Sequence, residues 1–66
     1  MTKNIRFLVS SGGTAGAIKD ELGPRAKVRK VRPNEPVGDY GDFLFEASES
    51  DAVLMKLKYP NVTLIP

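Results

Sequence analysis

The sequence contains no cysteine and no histidine. Disulfides and thiolate catalysis are therefore excluded, and so are the usual zinc sites. The fold must hold by packing alone, which suits a reducing compartment, and a cytoplasmic location is the expectation. No apolar run reaches the length of a membrane-spanning helix, so no membrane association is expected. The opening string MTKNIRFLVSSGG lacks the longer apolar region of a signal peptide, and residues 5–9 read as a strand instead. Repeats, low-complexity tracts and linkers are also missing, so residues 1–66 read as one soluble domain.

What is present is an ordinary globular composition, 41% hydrophobic and 27% charged. A domain of this size buries only about 60% of the surface that its unfolded chain exposes, so its pattern must be tidy. The formal net charge of +2 hides an asymmetry. Residues 1–32 carry eight basic and two acidic side chains, and residues 33–66 carry two basic and six acidic ones. Such an imbalance marks either a bipolar binding surface or two halves that neutralise each other inside the fold.

Ile5, Phe7 and Val9 alternate with Arg6, Leu8 and Ser10, the period of a half-buried strand. Ser11, Gly12 and Gly13 break it, and Thr14 is the expected N-cap of a short helix over residues 15–22. Ile18 and Leu22 share one face of that helix. Gly23 offers a left-handed cap and Pro24 prevents continuation. Residues 25–32 read as a second strand, with Ala26 and Val28 on one face and Lys27, Arg29 and Val31 on the other. Residues 33–41 are a long turn, and residues 42–47 a third strand with Phe43, Phe45 and Ala47 on one face.

Ser48 caps a second helix, with Asp51 reaching back to complete a variant capping box. Glu49 and Asp51 suit the positive end of its dipole, and Lys56 and Lys58 the negative end. Val53, Leu54 and Leu57 form its expected apolar stripe. Pro60 and Asn61 end it, and residues 62–65 are the last strand. The economical way to bury these stripes is an α+β, ferredoxin-like βαββαβ fold: a four-stranded antiparallel sheet with two helices on one face.

Four segments are candidates for function. Ser10-Ser11-Gly12-Gly13-Thr14 joins a strand to a helix, where backbone N–H groups can cradle an anion. Gly12 is followed by Gly16, Ala17 and Ile18, so both the spacing and the lysine of a P-loop are wrong, and a tight turn is expected. The second candidate is the basic strand with Arg25, Lys27, Arg29, Lys30 and Arg32, which suits a phosphate backbone. The neighbouring Tyr40-Gly41-Asp42-Phe43-Leu44-Phe45-Glu46 departs from the base-stacking strand of RNA-recognition sheets. It lacks the basic residue before the glycine, and Glu46 stands where an apolar residue belongs. In the hairpin register that pairs Val28 with Phe45, Lys27 faces Glu46 and Val31 faces Asp42, so part of the positive stripe is neutralised across the strands.

Catalysis is the third candidate and the weakest. Asp20 and Glu21 point different ways on a helix, no histidine or cysteine partners the serines, and the chain is too short to enclose a deep pocket. A non-enzymatic protein without cofactor or metal is expected. The fourth candidate is the turn at residues 33–41, where Glu35, Val37, Asp39 and Tyr40 offer carboxylates, an apolar side chain and an aromatic ring to a partner.

The opening Thr2-Lys3-Asn4-Ile5-Arg6-Phe7-Leu8-Val9 resembles the first strand of the propeptide-like inhibitor domains of subtilisin-type proteases. The closing Leu54-Met55-Lys56-Leu57-Lys58-Tyr59-Pro60-Asn61-Val62-Thr63-Leu64-Ile65-Pro66 resembles their last helix, turn and strand, with Asn61 in place of a glycine. The resemblance implies a sheet docked on two protease helices and acidic residues at those helix N-termini, a role for Glu35 and Asp39. It also implies a tail in the active cleft. Pro66 directly follows the last strand here, so the inhibition it implies is weak. The expected function is thus a protein-binding module for a larger partner, a subtilisin-like protease or another machine served by a small accessory protein. Nucleic-acid binding through Arg25, Lys27 and Arg29 is the alternative.

Overall fold

The computed structural model describes residues 3–32, 34 and 42–65. The alternation in the first strand is realised as β1 (Asn4–Val9), with Phe7 and Val9 fully buried and Arg6 exposed. Its exit fixes the first helix, α1 (Gly12–Leu22), which starts three residues earlier than a Thr14 cap would allow. The cap is Ser11. Its backbone is extended (φ −124°, ψ 129°), and its hydroxyl accepts from the Thr14 N–H at 3.4 Å. Once a side-chain acceptor stands there, Gly12 and Gly13 become the first helical turn rather than a break.

At the other end Gly23 has φ +55° and ψ −133°, a region essentially closed to residues with a Cβ. It leads into a 3₁₀ turn, Gly23–Arg25. That turn takes Arg25 and Ala26 out of the second strand, which is only β2 (Lys27–Lys30).

The third strand is β3 (Phe43–Ser48), followed at once by α2 (Glu49–Lys58) and then β4 (Val62–Ile65). Ser48 caps α2 as its sequence predicts, accepting from the Asp51 N–H at 3.3 Å. The Glu49 N–H donates to the Lys3 carbonyl at 2.8 Å, and the Asp51 carboxylate lies 3.9 Å from Arg25 Nη1.

The four strands form one open sheet in the order β2-β3-β1-β4, antiparallel at every junction. The chain is therefore an α+β protein. Phe7 lies opposite Phe45 on the central pair, and their rings stack nearly parallel with centroids 5.2 Å apart. Ala15, Ile18 and Leu22 of α1 and Ala52 and Met55 of α2 join these phenylalanines, Val9, Ala47 and Val62 in one core. Both helices thus cover the same face. Each large side chain fully buried there contributes roughly 1.5–3 kcal/mol.

The face α2 turns inward is not the expected one. Val53, Leu54 and Leu57 are all exposed, Leu57 to 79%, while Ala52 and Met55 are fully buried. The rotation of α2 is set where its ends join the sheet, at the Ser48 cap and at Tyr59, which packs against the core. Ala52, Met55 and Tyr59 follow the helical period from those anchors, and the larger aliphatic residues fall outside it.

Among the described residues, no helix is long and apolar enough to cross a membrane.

Candidate functional site

The sheet face opposite the helices follows from alternation. Phe43, Phe45 and Ala47 face the core, so Leu44 and Glu46 of β3 point the other way. So do Arg6 and Leu8 of β1 and Lys27 and Arg29 of β2. The register then assembles two rows across three strands: Arg6, Glu46 and Lys27 in one, Leu8, Leu44 and Arg29 in the next. Leu44 and Val31 are both buried yet lie outside the helix-side core.

A shallow depression of about 240 Å³ opens there, rimmed by Arg6, Lys27 and Arg29 with Leu44 and Glu46 in its lining. Glu46 is half-buried and accepts from Asn4 Nδ2 at 3.3 Å. Among the described residues, neither Arg6 nor Lys27 forms an ion pair within 4 Å, whereas Arg29 and Lys30 have interactions of their own. One carboxylate therefore stands between two cations in the register. The pairing of Lys27 with Glu46 read from the sequence holds as register without becoming a contact ion pair.

The structure separates the three residues expected to touch nucleic acid. Lys27 and Arg29 share the open face, but Arg25 sits in the 3₁₀ turn. Its Nε donates to the Leu22 carbonyl at 3.3 Å, and its guanidinium lies beside Asp51 of α2. Arg6 takes its place on the face. The signal for Arg6 was present in the outward phase of the first strand, but only the β1–β3 register brings it into Lys27's row. The aromatic rings are also misplaced for base stacking. Phe7 and Phe45 are wholly buried beneath the helices and Phe43 packs on the same core, so among the described residues the open face has no aromatic platform. Glu35, Val37, Asp39 and Tyr40 lie outside the described residues.

A second concavity, of about 330 Å³, runs between α1 and β2. Gly12, Ala15 and Gly16 form its helix wall, Val28 and Phe43 its half-buried floor, and Lys19 lies along it. A Cβ added at Gly16 would meet nothing within 4 Å, so α1 stands off from the strand there. Among the described residues, no cluster of three acidic side chains could hold a metal ion. Lys58 holds its proton more tightly than usual, chiefly through its hydrogen bond to Glu21. That pair bridges α2 and α1 and lies apart from both concavities.

Comparison with protein families, with curated proteins and with solved structures returned no match to this chain.

Proposed function

We propose that this domain is a non-enzymatic binding module that docks an acidic segment of a partner protein on the sheet face opposite α1 and α2. The observation that carries this reading is the row Arg6–Glu46–Lys27, two cations flanking one half-buried carboxylate beside the apolar Leu8 and Leu44. Charge at the rim of an interface selects partners of opposite sign. The ferredoxin-like assignment belongs to the same proposal. It is supported by the order β2-β3-β1-β4, in which β1–α1–β2 and β3–α2–β4 each step over one strand. A propeptide-like inhibitor of subtilisin-type proteases is a narrower version of it, supported only by the sequence resemblance.

The test is titration of a glutamate-rich peptide and, separately, of single-stranded and duplex oligonucleotides at low and high salt. Saturable peptide binding that Lys27→Glu weakens by about tenfold supports the proposal. Oligonucleotide binding tighter than peptide binding, with the steep salt dependence of counterion release, makes the domain a nucleic-acid binder instead. Failure of the acidic peptide to bind at low salt removes the reading. Incubation with a subtilisin-type protease tests the narrower version, which fails if proteolysis of a reporter substrate is undiminished.

A further inference from the structure

Among the described residues, the large hydrophobic side chains left exposed are Val53, Leu54 and Leu57, and all three belong to α2. With the exposed Ser50 they follow the spacing i, i+3, i+4, i+7, so they form one stripe rather than a scatter. Ala52 and Met55, which bury into the core, lie on the opposite side of the helix. Single exposed apolar residues are ordinary, but a contiguous stripe marks a surface that something covers. The charges beside the stripe indicate what that is. At about 100° per residue, Glu49 and Lys56 border it on one side, and Asp51 and Lys58 on the other. Each border thus carries an acid in the first turn and a base in the last.

We propose that α2 is a dimerisation helix that packs antiparallel against α2 of a second copy of this chain about a two-fold axis. The axis passes between Val53 and Leu54, so each Val53 meets the Leu54 of the other copy, and each Leu57 lies over the other Ser50. In an antiparallel helix pair, like borders face each other. Glu49 then approaches Lys56 of the second copy and Asp51 approaches its Lys58, and symmetry makes each contact twice. A parallel pair would set unlike borders together, bringing Glu49 beside Asp51 and Lys56 beside Lys58, so the charge order selects the antiparallel arrangement. The stripe and its borders are in this way complementary to themselves, and that identifies the occupant as a second copy. Lys56 Nζ donates to the Val62 carbonyl at 3.1 Å and Lys58 Nζ to Glu21 at 2.7 Å. An ammonium has three donors, so both keep donors for a carboxylate from outside. About three turns of helix bury less than the roughly 800 Å² per partner of a standard interface, so the dimer is weak, with a Kd on the order of 100 µM. The docking face proposed above lies on the far side of the sheet and stays open in both copies, so the two proposals stand or fall separately.

The test is sedimentation equilibrium of the full chain from about 10 µM to about 1 mM, with the fold of every variant checked by far-UV circular dichroism. The parent should pass from monomer toward dimer across this range. Leu57→Glu changes an exposed position, so it should keep the fold and stay monomeric. Glu49→Lys and Lys56→Glu each turn two attractive contacts into repulsive ones and should weaken the dimer about tenfold. An equimolar mixture of these two variants should regain the parent's association, because the mixed dimer restores opposite charge at both contacts. Charge variants that associate like the parent, or that stay weak when mixed, overturn the antiparallel pairing. A dimer that Leu57→Glu leaves intact uses another surface and overturns it too. A parent that stays monomeric to about 1 mM overturns the proposal. If that monomer instead binds phosphatidylglycerol vesicles, and Leu57→Glu does not, the stripe belongs to a lipid surface.

Discussion

Positions 55 and 57 of α2 differ by two residues, about 200° around a helix of 3.6 residues per turn. Met55 is fully buried and Leu57 is 79% exposed, so truncating each to alanine measures the rotation of the helix directly. Met55→Ala removes a buried side chain from a core that can only partly close around the gap, at a cost of about 2–5 kcal/mol. A domain of this length has a total stability of roughly 3–10 kcal/mol, so the loss is a large fraction of it. The corresponding fall in Tm is about 10 °C or more. Leu57→Ala removes a side chain already in water and should stay within about 0.5 kcal/mol of the parent. Urea unfolding followed by far-UV circular dichroism distinguishes the two, the midpoint moving for one variant and not for the other. If Leu57→Ala costs as much as Met55→Ala, then α2 turns its larger aliphatic side chains inward, and the packing described for it is wrong.

Gly23→Ala forces a Cβ into a backbone with φ +55° and should cost about 1–3 kcal/mol. The urea midpoint is again the measure, and no loss would mean that the turn relaxes to a different path. Ser48→Ala leaves the Asp51 N–H without its 3.3 Å acceptor and should cost about 1 kcal/mol, read as lost protection of that amide in hydrogen exchange. Lys58 Nζ lies 2.7 Å from Glu21 Oε1 and holds its proton more tightly in the folded chain than the ordinary 10.5. A raised folded value stabilises the protein fully below 10.5, and that contribution is lost as pH climbs through the raised value. Glu21→Gln should therefore flatten the alkaline end of the stability–pH curve and leave the slope near neutrality unchanged. A curve identical to the parent's would show that the pair contributes nothing. High salt should shrink the same difference, because both side chains are substantially exposed.

The strands were readable because each carries its own period and its own punctuation. Phe7 and Val9 alternate on β1, Phe43 and Phe45 on β3, and Gly23-Pro24 and Pro60-Asn61 mark where helices end. The β2–β3 register was readable by setting the core-facing Val28 against Phe45, which places Lys27 opposite Glu46. The start of α1 was obscured by two hydroxyl residues three apart, Ser11 and Thr14, and by two glycines that signify a break when no cap is assigned. The inward face of α2 was obscured by size. Val53, Leu54 and Leu57 are bulkier than Ala52, and hydrophobicity alone cannot tell which row lies over the sheet when the chain's attachments decide it. The candidate site was half legible for the same reason. Lys27 and Arg29 announce themselves as a basic strand, whereas Arg6 joins them only through strand pairing, and the groove beside Gly16 depends on how far α1 stands from β2.

Central placement of β1 has a consequence for the order in which the protein assembles. Its two neighbours, β3 and β4, are the strands that follow it latest in the chain, and the Phe7–Phe45 stack at the middle of the sheet joins residues separated by α1 and β2. The entropy of closing that long segment must be met before the pairing that rewards it can form, so folding is slowed by topology rather than by any single residue. On a ribosome the first strand emerges with both its apolar face and both its backbone edges unsatisfied. It waits for β3 and β4 while α1 alone, about three turns long and marginal by itself, is available to shelter it.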